Sequence, residues 1–218
     1  MAGSTTTAGS TERRYAGRTG AERRAERHAL LVGAAADLVR GQGLAAIGVR
    51  PVCRAAGLTE RYFYESFSGV DDLLSALFDA QLTSSARLVS AAVAAAERSP
   101  EAAVRAAVGA FVDLVAHDPL PGRLLVESVG HPVLAPRRRT AVDTFVELIV
   151  ATGTELVGQP PDARSARRAR RLAVALVGGL HELLVQWLAD PAELAATELV
   201  DDVGDLFLAT LGRVGHRG

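Results

Sequence analysis

Two short helical patterns separated by a glycine occupy residues 49–67 and constrain the fold more than any other feature of the chain. Apolar residues recur at intervals of three and four from Val49 to Ala56, which predicts one buried stripe on a first helix. Pro51 fits the first turn of that helix, where its missing N–H leaves no hydrogen bond unmade. Gly57 favours the left-handed backbone that ends a helix. The segment therefore predicts two helices joined by a tight turn.

The second helix of this pair is predicted to have one buried and one exposed face. Thr59 precedes it and belongs to the residue types preferred at an N-cap. Phe63 and Phe67 lie four residues apart and share the inner side. The opposite side carries Glu60, Arg61, Tyr64 and Glu65. A helix-turn-helix presents a face of this kind to the major groove of DNA.

Further helical patterns flank the pair. Upstream, Leu, Ala and Val residues between positions 30 and 39 predict an amphipathic helix that ends near Gly41 and Gly43. Downstream, Ser68 and Asp71 resemble the capping-box start of another helix. The residues expected in the core are Leu38, Phe63, Phe67 and Leu73.

The single cysteine, Cys53, lies four residues before the turn glycine. One cysteine excludes an intramolecular disulfide. We expect a small buried thiol at this close approach of two helices, with redox sensing as the alternative.

The order of these features resembles the N-terminal domain of the tetracycline-repressor (TetR) family of transcriptional regulators. The resemblance covers about residues 27–78 and includes the aromatic run at 62–67 and the Asp-Asp-Leu at 71–73. It implies an all-α fold with an N-terminal three-helix DNA-binding domain, followed by a larger helical domain for ligand binding and dimerisation. The implied domains are a disordered, Arg-containing tail at 1–25, the helix-turn-helix domain at 26–70, and the effector-binding and dimerisation domain at 71–218.

The resemblance and the exposed face together indicate which residues contact DNA. Arginine pairs with guanine and glutamate accepts a hydrogen bond from cytosine. The candidates are Glu60, Arg61 and Tyr62 for base edges, and Arg50, Thr59 and Tyr64 for phosphates. The family often has a lysine at the start of the next helix, where this chain has Val70. We therefore expect affinity to depend more on Arg50 and on the tail.

Charge is divided unevenly between the two ends of the chain. Residues 1–68 carry ten Arg against six Asp and Glu, whereas residues 69–218 carry fourteen against nineteen. Such a division suits a protein that meets phosphates with one end, although a chance fluctuation of surface charge would give the same division. Apolar residues make up 49% and aromatics 5%, which favours close-packed helices over sheets.

No export signal or membrane span is predicted. Arg13 and Arg14 are not followed by an apolar stretch, which a twin-arginine signal requires. The apolar run from Leu172 to Leu180 is too short to cross a bilayer. We expect a cytoplasmic protein without a membrane partner.

The C-terminal part is predicted to contain five or six helices with short breaks. The breaks are expected near residues 99–100, 118–121, 131–132, 159–161 and 190–191 because proline and aspartate mark helix boundaries there. Residues 172–188 and 194–211 form two long apolar-faced patterns, as expected of a helical hairpin that packs against its twofold mate. A monomeric bundle would bury the same faces internally, and the family resemblance favours a homodimer.

Apolar and aromatic residues with a few polar neighbours in this part suggest a ligand pocket. The candidates are Phe111, Leu114, Glu127, His131, Phe145, His181, Glu182 and Trp187. An ordinary core position is the alternative for most of them, above all for His181 and Trp187. No metal-ligand spacing or catalytic constellation is found, so we expect no cofactor, no metal site and no enzymatic activity.

These features favour a ligand-responsive transcriptional regulator. We expect a repressor that binds a pseudo-palindromic operator in double-stranded DNA as a dimer and is released by a small, largely apolar effector. A helical module that binds a protein or a membrane surface, without sequence-specific DNA binding, would use the same basic tail and amphipathic faces. Loss of specific DNA binding on substitution of Arg61 would distinguish the two.

Overall fold

The computed structural model describes residues 19–158 and 162–215, and these residues form an all-α fold without a strand among them. The first 18 residues of the predicted tail and the predicted break at 159–161 lie outside the described residues. The helices are α1 (Gly20–Gln42), α2 (Val49–Ala56), α3 (Glu60–Ser66), α4 (Val70–Ala95), α5 (Pro100–His117), α6 (Pro119–Glu127), α7 (Leu134–Val157), α8 (Ala163–Ala189) and α9 (Ala196–Gly215), with a short 3-10 turn at Leu44–Ala46 between α1 and α2.

The first six residues of helix α1 lie within the predicted tail. Thr19 and Glu22 form a capping box: the Thr19 side chain accepts a hydrogen bond from the Glu22 amide, and the Glu22 carboxylate accepts one from the Thr19 amide. These two bonds satisfy amides that a helix start otherwise leaves unpaired. The stretch from Gly20 to Ala25 is therefore helical where the sequence indicated a disordered tail.

The N-terminal core fills the space between α1, α2, α3 and the first turns of α4. Phe63 and Leu73 are fully buried and Phe67 is nearly so, as expected. Leu38 is only partly buried, because the inner face of α1 is formed by Leu31, Ala35 and Val39. The core also takes in residues of α6 and α7, namely Leu120, Leu124 and Leu134. The two predicted domains therefore share one hydrophobic cluster.

Helix α4 starts differently from the expected capping box. Gly69 occupies the N-cap position and provides no side-chain bond. Instead, the Asp72 carboxylate accepts hydrogen bonds from the amide and hydroxyl of Ser68. Asp72 thus has the role that the sequence assigned to Asp71.

A second hydrophobic cluster lies between α5, α8 and α9. Val112, Leu184 and Val203 are its most buried members, one from each helix. Ser99 and Asp118 cap α5 and α6 with their side chains, and a proline follows each of them, as the predicted breaks require. The chain between Asp190 and Ala195 then reverses direction, so that α9 runs back along α5.

Among the described residues, one helix, α8, is long and apolar enough to cross a membrane by length and composition. Only 17% of its most apolar window is buried within the chain. Val174 and Leu183 on α8 and Leu206 on α9 are among the exposed large apolar residues. Part of the apolar surface of α8 and α9 is therefore left uncovered by the rest of the described chain.

Candidate nucleic-acid interface and interior cavity

Helices α2 and α3 are joined by a turn whose geometry follows from its residues. Gly57 adopts φ 66° and ψ 27°, the left-handed conformation expected at this position. The Leu58 amide then donates to the Cys53 carbonyl over 2.9 Å, which closes the end of α2. Thr59 occupies the N-cap position of α3, but its side chain makes no capping hydrogen bond. The hydroxyl is therefore left free on the surface.

All six candidate DNA contacts lie on the exposed side of this unit. They are Arg50, Thr59, Glu60, Arg61, Tyr62 and Tyr64. The Arg50 and Arg61 side chains are 83% and 84% exposed, so both guanidinium groups are accessible to a large partner. Phe63 points the other way into the core and contacts Tyr64 edge to face at 5.4 Å. The buried ring thereby fixes the rotation of α3.

The two arginines among these candidates are each already paired with a glutamate. Arg50 Nε lies 3.1 Å from Glu60 Oε1, which connects α2 to α3. Arg61 Nε lies 3.1 Å from Glu65 Oε1 along one face of α3. Exposed pairs of this kind contribute about 0.2–1 kcal/mol each, so a phosphate or a base can displace them at small cost. The glutamates hold the arginines in position and lower the positive potential of the surface.

Arg27 of α1 is a member of this surface that the sequence did not reveal. Its Nη2 donates to Glu65 Oε2 over 3.1 Å, and its guanidinium carbon lies 4.6 Å from the centre of the Tyr62 ring. A cation over a tyrosine face contributes roughly 0.5–1 kcal/mol at an exposed site. Tyr62 is therefore held against α1, whereas Tyr64 extends freely with 58% of its surface exposed. No sequence pattern pairs positions 27 and 62, because the contact depends on how α1 crosses α3.

Cys53 is buried between α2 and its neighbours, as expected. Burial raises the pKa of its thiol, and the nearby Glu60 carboxylate adds to the shift. A thiol with a raised pKa forms little of the reactive thiolate. The packing interpretation of Cys53 thus has physical support, and the redox alternative does not.

The start of α6 is joined to α1 by a bidentate ion pair. Arg40 Nε lies 2.9 Å from Asp118 Oδ1, and Arg40 Nη2 lies 3.1 Å from Asp118 Oδ2. The hydrogen bond from Arg40 lowers the pKa of Asp118, and the same bond raises the pKa of Arg40. The same carboxylate also caps α6 through the Leu120 amide. Asp118 therefore fixes the start of α6 and attaches it to the N-terminal helices.

The end of α6 is joined to the same helices by a second contact. The Glu127 carboxylate accepts a hydrogen bond from the Leu44 amide over 2.7 Å. Gly43 precedes this amide with φ 82°, and a Cβ atom there would lie 2.9 Å from Glu127 Oε1. Position 43 thus requires glycine both for its backbone conformation and for the approach of the carboxylate. We call the two contacts, Arg40–Asp118 and Leu44–Glu127, the α6 clasp.

An interior cavity of about 720 Å³ lies beside α6. This volume falls in the range typical of small-molecule sites. Helices α4 to α9 all contribute to its wall, and most of the lining side chains are apolar. Phe111 and Phe145 face each other across 5.3 Å in an edge-to-face contact. Through Pro121, Leu124 and Ser128, α6 lines the cavity and carries the clasp at both of its ends.

Three of the candidate pocket residues, Phe111, Phe145 and His181, line this cavity. The other five lie elsewhere, each for a local reason. Glu127 accepts the Leu44 amide, and Glu182 lies exposed and accepts from Gln186. Leu114 packs outside the lining. The His131 carbonyl accepts hydrogen bonds from the amides that begin α7. The Trp187 indole N–H donates to the Leu194 carbonyl over 2.9 Å.

The polar groups of the cavity differ in whether they have partners. On α4, Gln81 donates to the Ser85 hydroxyl, and on α6 the Ser128 hydroxyl donates to the Leu125 carbonyl. His181 Nε2, in contrast, is buried without a hydrogen-bond partner. Burial lowers the pKa of His181, and the positive charge of nearby Arg138 lowers it further. Arg138 also lines the cavity and was not identified from the sequence.

Comparison with known proteins gives one relative by sequence. The HTH-type transcriptional activator FasR of Mycolicibacterium smegmatis is 27% identical over 167 residues, which cover 76% of this chain and 74% of the relative. No protein-family model matches the chain.

Solved structures resemble the whole fold more closely than the sequences suggest. The TetR-family transcriptional regulator from Streptomyces coelicolor superposes with a TM-score of 0.63 at 21% identity, covering 88% of this chain and 99% of that one. The transcriptional regulator FadR from Bacillus subtilis, solved in complex with stearoyl-CoA, gives 0.65 at 15% identity and covers 84% of this chain and 98% of that one. At these identities the likeness establishes the fold.

Proposed function

We propose that this chain, which has the fold of the TetR-family transcriptional regulators, is a ligand-responsive DNA-binding regulator. In this proposal a homodimer binds a pseudo-palindromic operator and is released by a small, largely apolar molecule. One observation carries the proposal: helix α6 lines an apolar cavity and is bonded at both ends to the helices that support the helix-turn-helix. The binding of a ligand and the placement of α3 are thereby physically connected.

The exposed face of α3 is the proposed reading surface. In a dimer, two copies of α3 would enter successive major grooves with half-site centres roughly 34 to 36 Å apart, or a multiple of that distance. Arg61, Glu60 and Tyr62 are proposed to meet base edges, with Arg50, Thr59 and Tyr64 on phosphates. Since Arg27 holds Tyr62 against α1, Arg61 is the stronger candidate for a base contact.

The uncovered face of α8 and α9 is the proposed dimer interface. Val174 and Leu183 on α8 and Leu206 on α9 are large apolar side chains that the protomer leaves exposed. Gly178 and Gly179 have no atom of the chain within 4 Å of where a Cβ would lie, so both leave room for the helix of a partner. A second copy that covered this face would remove apolar surface from water, which is the dominant favourable term in association.

Gly178→Glu tests the interface. A charge at this open position should prevent association while leaving the protomer folded, so sedimentation should give a monomer with an unchanged helical spectrum. Gly33→Glu is the matched control, because Gly33 on α1 is equally open in the protomer. A dimer that survives Gly178→Glu would exclude this face as the interface, and a monomer that binds vesicles would instead favour a membrane-surface module.

The proposed switch acts through α6. A ligand that fills the cavity displaces the wall formed by Leu124 and Ser128, and the clasp passes that displacement to α1. To reverse a population from 1:99 to 99:1 the ligand must prefer one state by about 5.5 kcal/mol. A dimer whose two reading helices no longer match the groove spacing would then leave the operator.

Repression is the proposed sign of regulation, since release by a ligand then switches a gene on. FasR of M. smegmatis is named an activator, so the sign needs its own test. A reporter gene placed behind the selected operator should fall in expression when the protein is supplied and recover with the ligand. A rise in expression on addition of the protein would make it an activator.

Selection of random duplex DNA by the purified protein, at about 150 mM salt to suppress phosphate-only binding, tests the proposal as a whole. Sequencing of the retained DNA should reveal an inverted repeat. Binding that vanishes as salt rises, with no enriched sequence, would contradict sequence-specific reading.

Arg61→Ala then tests the reading surface on the selected operator. Loss of one base contact should cost about 1–3 kcal/mol and relax the preference at one position of each half-site. Arg139→Ala is the matched control, since Arg139 is an exposed arginine on α7, away from α3. If both variants retain the operator preference of the parent, the interaction-module alternative gains support.

A further inference from the structure

We infer that the cavity binds an apolar ligand with an anionic head group, and that Arg138 of α7 and His181 of α8 bind that head group. The inference depends on the proposed function only in taking the cavity as the effector site. The two side chains line the same cavity from α7 and α8, which pack against each other, and Arg138 is near enough for its charge to act on His181.

Arg138 provides the charge. It is the one charged side chain among the described residues that line the cavity, and it has no ion pair or hydrogen bond with any described residue. Its neighbour Arg137, in contrast, is paired with Asp79 of α4. Partial exposure keeps the Arg138 guanidinium hydrated when the cavity is empty. A carboxylate or phosphate oxygen would give it the charge-assisted hydrogen bonds that the protein does not.

His181 provides a matching neutral donor. Its Nε2 is shielded from water and lacks a partner, which costs free energy in the unliganded protein. Burial and the nearby Arg138 charge lower the pKa of His181, whereas the Glu182 charge and the Leu125 backbone act in the opposite direction. In the tautomer that carries its proton on Nε2, the neutral ring donates from the nitrogen that has no partner in the chain. An anionic oxygen would accept that N–H while lying next to Arg138. One group of the ligand thus satisfies both side chains.

The remainder of the cavity explains why the rest of the ligand is apolar. Its other polar side chains, except Thr152, already have partners, as in the Gln81–Ser85 pair and the bond from Ser128 to a carbonyl. Phe111, Phe145 and Phe207 from three helices contribute aromatic surface to the wall. A polar tail would lose its hydration here without gaining hydrogen bonds. A neutral ligand would leave the Arg138 charge without a counter-charge in the cavity.

Calorimetric titration of the full-length protein with decanoate and with 1-decanol tests the head group, because the two differ only there. We expect decanoate to bind about 10- to 100-fold more tightly, the range expected of hydrogen bonds to a charged group. The thioester of decanoate with a phosphorylated carrier distinguishes the source of the anion. Preference for the thioester assigns the head group to phosphate, and preference for the free acid assigns it to the carboxylate. Equal affinity for decanoate, its thioester and the alcohol would overturn the inference.

Three variants assign the contact to its residues. Arg138→Gln should reduce the preference for the anion to within about threefold, and His181→Phe should reduce it while keeping an aromatic ring at this position. Arg139→Gln makes the same charge change one position along α7, at an exposed site outside the lining, and should leave the preference unchanged. An anion preference that survives in both Arg138→Gln and His181→Phe would place the head group elsewhere. If a variant fails to fold, the affinities of the parent protein for decanoate and 1-decanol still decide whether the cavity prefers an anionic head group.

DNA binding is measured separately, so that the two proposals fail independently. A preference for the anion without an enriched operator would support the proposed head-group site and contradict the proposed DNA-binding function. An enriched operator with equal affinity for acid and alcohol would keep the regulator and reject the head-group site.

Discussion

The N-terminal and C-terminal parts of the chain bury their apolar residues to different degrees. In the first, Phe63 and Leu73 are fully buried and Phe67 nearly so, in a core to which α6 and α7 also contribute. In the second, helices α4 to α9 line a partly open cavity of about 720 Å³ and leave apolar residues of α8 and α9 on the surface. The N-terminal core is filled by side chains of a single chain, whereas the C-terminal part leaves apolar side chains facing a cavity and the surface.

This difference matches the work that we propose for each part. A reading surface must hold Arg61 and its neighbours in fixed positions, which a densely packed core achieves. A sensing part must change its packing when a ligand enters, and it retains apolar surface inside for the ligand and outside for a partner. The α6 clasp joins the densely packed N-terminal part to the part that contains the cavity.

The largest effect should come from removing a ring from the N-terminal core. Phe63→Ala should destabilise the protein by about 3–5 kcal/mol, because a fully buried ring is lost and a void is left. Phe111→Ala, in the cavity wall, should cost less than half as much, since that ring borders space that is already empty. Urea unfolding followed by circular dichroism measures both. Equal losses would remove the distinction between the two cores.

The next effect should come from the clasp at Gly43. Gly43→Ala introduces a Cβ at φ 82° and 2.9 Å from a Glu127 oxygen, so we expect a loss of about 1–3 kcal/mol. Gly41→Ala is the control: its Cβ meets no atom within 4 Å, and alanine within a helix should stabilise by about 0.5–1 kcal/mol. Thermal unfolding of the two variants should therefore shift in opposite directions. A loss in both would argue against the clasp geometry.

A smaller, pH-dependent effect should come from Asp118. Asp118→Asn keeps the cap on α6 but removes the charge that faces Arg40, and it should cost on the order of 1 kcal/mol at neutral pH, because both groups are about a third exposed. The pKa of Asp118 is lowered in the fold, so its contribution is complete above the usual carboxylate range and is lost as the pH falls through the lowered value.

Urea unfolding of the parent and of Asp118→Asn at several acidic pH values measures how the difference in stability between them changes with pH. The two stabilities should approach each other as the solution becomes acidic. Asp37→Asn is the control, since Asp37 also pairs with Arg40 but its side chain is 78% exposed, and its effect should be smaller at every pH. A gap that widened in acid would have the wrong sign for a lowered pKa.

The smallest effect on stability should come from the reading surface itself. Glu60→Gln removes the partner of Arg50 and should cost a few tenths of a kcal/mol in stability. Affinity for random DNA should rise, because one negative charge leaves a surface that meets phosphates. Glu101→Gln on α5 makes the same charge change away from α3, where Arg105 keeps Asp201 and Asp205 as partners, and it should leave DNA affinity unchanged. Titration of both variants with labelled duplex over a series of salt concentrations makes the comparison.

The helix-turn-helix could be read from the sequence because its signals are local. Gly57 marks the turn, Pro51 fits the first turn of α2, and Phe63 lies on the buried side of α3, each through the geometry of a few consecutive residues. The six DNA-contact candidates share an exposed face for the same reason. Their ion pairs were not predictable, since Arg27 reaches Glu65 only through the way α1 crosses α3.

The cavity was predicted less well because its wall comes from six helices that are distant in sequence. Residue type alone indicated Glu127 and His131 as pocket groups, but Glu127 bonds to the Leu44 amide and the His131 carbonyl accepts the first amides of α7. Arg138 is one of three consecutive arginines that the sequence does not distinguish, and its place in the cavity wall depends on how α7 packs against α8.

The sequence by itself determined the all-α fold and the positions of α2, the glycine turn and α3, because helix periodicity and capping act over a few residues. Tertiary structure decided the joining of Leu44 to Glu127, the filling of the N-terminal core by α6, and the selection of Arg138 and His181 from many polar residues to face one cavity. Those contacts depend on the angles at which whole helices cross, and such angles arise from the packing of many side chains at once.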